Sequence, residues 1–225
     1  MDAGVRLYRL TALPNLIFSL PMVVAAQAPN MYRLAHAGRD SWWWVLAIAG
    51  PVLSLLFWAA LVLRQSAAAN GQALGSGAAL VRAVSWTPGL LVLAVLSVVG
   101  IAGGLVLLIV PGLLAMLVAL LAPYALVSEA LRPVDAGPRA WQLIKNRIAT
   151  SVAVVAMSIA VFLVFYIVLA VLGVMIAQRL GADPLSERAW SVWAGCLAQA
   201  LFAPLLTAVL LALFRGLVTT PIDPV

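Results

Sequence analysis

One cysteine and one histidine in 225 residues leave this chain without an internal disulfide and without a His/Cys metal cluster. Cys196 stands inside an apolar stretch, where a lone thiol carries no information about redox compartment. His36 sits beside Arg33, Arg39 and Asp40, a setting that predicts a solvated loop histidine. There is no HExxH helix, no Walker loop and no GxSxG elbow. The acids are scattered, with Glu129 and Asp135 in one polar connection and Asp183 and Glu187 in another, so no pair is spaced for acid and base work. These absences point away from an enzyme, and no catalytic, cofactor-binding or metal-binding residue is assigned.

Charge is scarce as well. Charged residues make up 9% of the chain and hydrophobic residues 65%, against roughly 25% charged in soluble domains. All twenty charged residues fall outside a set of long apolar runs, the longest being the 41 residues from Pro88 to Ser128. Such runs predict an all-α, polytopic membrane protein, and the lack of acids and bases within them removes the usual marks of a pump or ion-coupled carrier. The polar connections are short, so residues 1–225 read as a single integral membrane domain. The net charge of +6 would suggest nucleic acid in a soluble protein. Here the basic residues flank apolar spans, where they set orientation and meet anionic lipid headgroups, and no nucleic-acid partner is expected.

A bilayer core of about 30 Å takes about 20 helical residues, which gives six spans at 12–28, 42–63, 88–108, 110–128, 150–177 and 190–214. The first resembles a secretory signal ending Ala26-Gln27-Ala28, but Pro29 just after the cut and Pro14 and Pro21 within the apolar core predict a retained span. As one helix the 88–128 run would be about 60 Å long, so it must reverse, between Gly100 and Gly112, where Gly103-Gly104 and Pro111-Gly112 weaken helix. Gly100, Gly103 and Gly104 also offer a small surface for close helix contact. With six spans, nine basic residues lie on one side and four on the other, which predicts both termini in the cytoplasm. If the first segment only dips into the membrane, the split falls to seven against six and the bias is lost. Trp42, Trp43, Trp44, Trp86, Trp190 and Trp193 stand at span ends, as interfacial anchors do.

Three basic, aromatic lead-ins precede pairs of spans: Val5 to Arg9, Leu80 to Trp86, and a helix over 138–148. A threefold repeat and the ordinary need for positive cytoplasmic flanks both account for them. In the third, Pro138 heads the helix and Trp141, Ile144 and Ile148 share a face away from Arg139 and Asn146, the pattern of an amphipathic helix in the headgroup layer. Glu129 directly follows the fourth span, at a helix C-terminus where the macrodipole disfavours an anion, and Arg132 can offset that cost. Two readings stand for Glu129: a tie from the bundle to the basic helix through Arg139, Lys145 or Arg147, or an ordinary interfacial acid.

The segments Ile109-Val110-Pro111-Gly112, Ala122-Pro123, Val127-Ser128-Glu129 and Arg139 to Arg147 resemble, in order and spacing, the YciC-like family of bacterial inner-membrane proteins. That family is similar to the membrane domain fused to some glycerophosphodiesterases. The resemblance covers about residues 70–218; Ala140 stands where the family often has serine, and residues 1–65 match only in general character. It implies a six-helix protein of the bacterial inner membrane and carries over no catalytic residue, because the phosphodiesterase activity belongs to the fused soluble part. The expectation is a non-enzymatic accessory, scaffold or self-associating subunit of an envelope complex, with a membrane-protein partner or a second copy. The alternative is a carrier or channel for lipids or other hydrophobic small molecules. Candidate interaction or structural residues are Glu129, Arg132, Arg139, Trp141, Lys145, Arg147, Pro111, Gly112 and Pro123.

Overall fold

A computed structural model of the chain describes residues 2–36, 41–179 and 184–219. Among them it has seven α-helices and no strand: α1 (Asp2–Ala35), α2 (Ser41–Ala69), α3 (Ser76–Leu107), α4 (Ile109–Ser128), α5 (Pro133–Ile144), α6 (Ile148–Arg179) and α7 (Pro184–Thr219). An all-helical answer follows from the solvent, since a helix satisfies its own backbone where lipid offers no hydrogen bonds. Five helices are long and apolar enough to cross a membrane: Ser41–Ala69, Ser76–Val106, Ile109–Ser128, Ile148–Ile176 and Val192–Thr219. The chain is a multi-pass membrane protein.

The helices are longer than the spans read from the sequence, because basic and aromatic flanks continue the same helix. The lead-in at 80–86 is part of α3, and α1 runs unbroken through Pro14, Pro21 and Pro29. The third lead-in differs. Its helix begins at Pro133, not Pro138, and stops at Ile144, so Ile148 belongs to α6 and the face shared by Trp141, Ile144 and Ile148 does not form. Both prolines can head a helix; Pro133 does so because Arg132 before it is extended, at φ −72° and ψ 151°.

The core lies among α2, α3, α4 and α7, with contributions from α1, α5 and α6. Ala59, Ala60, Leu61 and Val62 of α2, Leu121, Tyr124 and Leu126 of α4, and Leu211 and Phe214 of α7 are buried in it. The Trp58 ring packs edge-on against Tyr124, 5.6 Å between centroids. Helix α1 lies between α2 and α7, antiparallel to α2: Ala25 faces Gly50, and Phe18 lies under the Arg64 guanidinium. Its Asn15 and Ser19, one turn apart, are fully buried without a side-chain hydrogen bond among the described residues. Nearby in the same three-helix layer, Gln65 of α2 donates to the Pro204 carbonyl of α7 at 2.8 Å.

The reversal in the 41-residue run takes place at Leu108, the single extended residue between α3 and α4 (φ −168°, ψ 154°). Gly104 and Gly112 permit it. A Cβ on Gly104 would lie 2.9 Å from the Gly112 Cα, and one on Gly112 would lie 2.9 Å from the Leu105 nitrogen. Pro111 occupies the first turn of α4, where its missing N–H leaves no hydrogen bond unmade. Gly100 and Gly103 do not form the close-contact surface expected of them, since a Cβ on either would meet nothing within 4 Å. They face outward, and only Gly104 is at the seam.

Helix α6 is the outlier. It makes its one extensive packing contact with α7, and beyond Ser158 none of its described residues is buried. The seam runs through Gly195 under the Tyr166 ring, Phe162 against Phe202 at 4.9 Å, and Gly173 against Ala194.

Candidate functional site

The end of the bundle where α2, α4 and α7 stop gathers most of the polar side chains that interact. Its geometry begins with the way α4 terminates. Ala130 takes up a left-handed conformation at φ 52°, and the Leu131 N–H reaches back to the Leu126 carbonyl at 3.2 Å while the Glu129 N–H donates to Ala125. The first of these bonds spans five residues and closes the helix over a left-handed residue, a position normally given to glycine, while the second is the last regular bond of the helix. Leu131 then packs against the core, and the chain turns sharply enough for α5 to lie back against α4.

Three features start α5: extended Arg132, Pro133 at the first helical position, and Asp135 in the first turn, where an acid favours the helix N-terminus. The Arg132 carbonyl accepts from the Asp135 and Ala136 N–H groups. Ala136, Ala140 and Ile144, spaced one turn apart, are fully buried against the bundle, and Pro133 touches α3 near Gly89. This register turns Arg139 towards the end of α4. Its Nε donates to Glu129 Oε2 at 2.8 Å and its Nη2 to Oε1 at 3.1 Å, a two-pronged ion pair. Hydrogen bonding to Glu129 raises the Arg139 pKa above the usual arginine value, against an opposing effect of partial burial and with charge attraction assisting.

The other sequence candidates are not drawn into this pair. Arg132, Lys145 and Arg147 are exposed and make no side-chain ion pair among the described residues; Trp141 is also exposed, about a quarter turn round α5 from the alanine stripe. Pro123 is half-buried in the middle of α4, and Pro111 and Gly112 are at the far end of the α3–α4 hairpin, remote from Glu129 by the length of α4. Eight of the nine candidates therefore divide between two ends of the molecule, and Pro123 lies between them.

Sequence reading missed what lies beside the Glu129–Arg139 pair. A cavity of about 690 Å³ opens between the ends of α2, α4 and α7 and the start of α3. Its polar lining includes Arg82, Arg215, Asn70, Ser128 and Glu129, and its apolar lining includes Leu63, Val127, Phe214 and Val218. Arg215 is held in place: its Nη1 donates to the Ala69 carbonyl, left free at the C-terminus of α2, at 2.9 Å, and its Nη2 donates to Asn70 Oδ1. Arg82 is exposed, and its guanidinium has no partner among the described residues. Arg64 closes the nearby α2–α3 connection by donating to Ser76 Oγ at 3.2 Å. The only signal in the sequence was the recurrence of single arginines at helix ends, which does not reveal that Arg82 and Arg215, 133 positions apart, share a wall.

Two further hollows are apolar. One of about 300 Å³ lies among α1, α2, α6 and α7, with Ser54 and Gln199 as its polar residues. The other, about 740 Å³, follows the α6–α7 seam beside Trp190 and Trp193. Comparison of the chain with family models, curated proteins and solved structures finds no match.

Proposed function

We propose that this chain is a non-enzymatic protein of the bacterial inner membrane, of YciC-like type, that acts by association, as an accessory or scaffold subunit of an envelope complex or as a self-associating bundle. It crosses the membrane six times with both termini in the cytoplasm. Support for a sixth crossing comes from α1, which runs antiparallel along α2 and buries Asn15, Phe18, Ser19 and Val23. Helix α5 lies in the cytoplasmic headgroup layer, with its alanine stripe on the bundle and Trp141 and the charged side outward.

The observation that carries the reading is α6. It carries no charge before Arg179, its one extensive packing contact is with α7, and Val164, Ile167, Val168 and Val171 are about half exposed or more. Helices in lipid associate by close packing along several neighbours, and a partner helix supplies the contact that the rest of this chain does not. Photocrosslinking from Val164 and Val168 in native membranes, followed by mild-detergent purification and mass spectrometry, tests it. Adducts to a defined protein or to a second copy are the expected result. A persistently lone monomer with transport activity would overturn the proposal.

A second reading is favoured by the 300 Å³ hollow among α1, α2, α6 and α7: a carrier of lipids or other hydrophobic molecules, which needs no intramembrane charge. The fully buried packing of Ala59 to Val62 against Leu121 and Leu211 counts against a continuous path through the bundle. Lipid exchange by purified protein in liposomes separates the two readings.

A further inference from the structure

We infer that the cavity between α2, α3, α4 and α7 is a binding site for an anionic phospholipid, with the lipid phosphate held between Arg82 and Arg215 and its glycerol and upper chains on Leu63, Val127, Phe214 and Val218. The inference holds whether the protein works by association or by lipid transfer, and it differs from general attraction between basic loops and the membrane because it places one headgroup in one built hollow.

Four observations converge. The cavity has two arginines on its wall, and a guanidinium offers five N–H donors. Arg215 spends two of them on Ala69 and Asn70, which fixes its position and leaves the others for a ligand; Arg82 spends none on the described residues. The lone carboxylate on the wall, Glu129, is already engaged through both oxygens by Arg139, so it does not neutralise the two arginines. The volume of about 690 Å³ falls within the usual range of small-molecule sites, about 300 to 1,000 Å³.

The source of the phosphate follows from depth. The cavity is at the level of Ser128, the last residue of a 20-residue helix whose length of about 30 Å matches the hydrocarbon core. A group at that level meets headgroups. A free phosphate would leave Leu63, Val127, Phe214 and Val218 uncovered, whereas a phospholipid engages the polar and the apolar lining at once.

This arrangement gives Arg139 a role at a distance. Without it, the Glu129 carboxylate becomes available to Arg82 and Arg215 and competes with the lipid. Arg139 is thus a positioning residue for the site, and the defect of Arg139→Ala is reversed by also making Glu129→Gln.

The test is retention of phosphatidylglycerol against phosphatidylcholine by the full chain in nanodiscs containing both, read by native mass spectrometry. Wild type is expected to keep one phosphatidylglycerol preferentially, and Arg82→Ala to weaken that retention about tenfold, the effect of one hydrogen-bonded charge. Arg82 is the decisive variant because it supports no other element, whereas Arg215→Ala also uncaps α2. Arg139→Ala should weaken retention and the Glu129→Gln/Arg139→Ala pair should regain it. Lys145→Ala, at the same end but off the cavity, should change it clearly less than Arg82→Ala does, because its charge attracts the bilayer as a whole and not one bound headgroup. Equal retention of the two lipids, an unchanged Arg82→Ala, or an equal loss with Lys145→Ala overturns the site. Displacement of the lipid by millimolar glycerol 3-phosphate would assign the cavity to a soluble phosphate and overturn the lipid assignment.

Discussion

Loss of the Glu129–Arg139 pair should loosen α5 without unfolding the bundle. With the Arg139 and Glu129 side chains 37% and 24% exposed, solvent screening holds the pair to about 1 kcal/mol even in its two-pronged geometry. The alanine stripe and Ile144, all fully buried, hold α5 more strongly; truncating Ile144 to Ala should cost about 2 to 4 kcal/mol. A thiol placed by Ala140→Cys, in a Cys196→Ala background, reacts with maleimide only when α5 lifts, and its rate follows the opening equilibrium when reclosing is fast. Glu129→Ala should raise that rate about fivefold, and Ile144→Ala by about thirtyfold or more. Arg139→Ala should match Glu129→Ala, and the double variant should add little to either, because one interaction is lost in all three. An unchanged rate in Glu129→Ala, or additive effects of the two single variants, would refute the tie and leave Glu129 an ordinary interfacial acid.

The remaining expectations use thermal unfolding in detergent. Gly104→Ala and Gly112→Ala should each destabilise the hairpin by about 2 kcal/mol or more, since a Cβ would meet backbone at 2.9 Å, whereas Gly103→Ala, with open space around it, should be neutral or slightly stabilising. Ala130→Gly should add about 1 kcal/mol by relieving a left-handed alanine at φ 52°; a loss would mean that the turn is not held in that conformation. Asn15→Leu should stabilise by about 1 to 2 kcal/mol, because it replaces a buried amide that makes no hydrogen bond among the described residues; destabilisation would show that the amide is satisfied by solvent or ligand. Because the Arg139 pKa is raised in the folded protein, its stabilising contribution is complete below the unfolded value and declines only in strongly alkaline solution. Between about pH 7 and about pH 9 the effect of Arg139→Ala on stability should therefore be constant, as measured by parallel pH melts.

The helical class and the existence of a reversal between Gly100 and Gly112 were legible in the sequence, because both follow from local rules. A long charge-free run in lipid has to be helical, and a run of about 60 Å has to turn. Which glycines form the seam was not legible: Gly100, Gly103 and Gly104 are chemically identical, and only Gly104 faces Gly112. The start of α5 was misplaced for a similar reason, since Pro133 and Pro138 satisfy the same helix-start rule and the extended conformation of Arg132 decides between them.

At the site, the sequence by itself determined that Glu129 ends a span within reach of a basic segment. It could not choose among Arg139, Lys145 and Arg147. That choice belongs to tertiary structure: burial of Ala136, Ala140 and Ile144 fixes the rotation of α5, and this rotation turns Arg139 towards α4 while leaving Lys145 and Arg147 exposed. The cavity that joins Arg82 to Arg215 was settled at the same level, because it exists only once four helix ends meet. Hydrophobic length is a property of each segment and can be read along the chain, whereas the pairing of charges across segments depends on helix rotation, which is set by the packing of apolar faces.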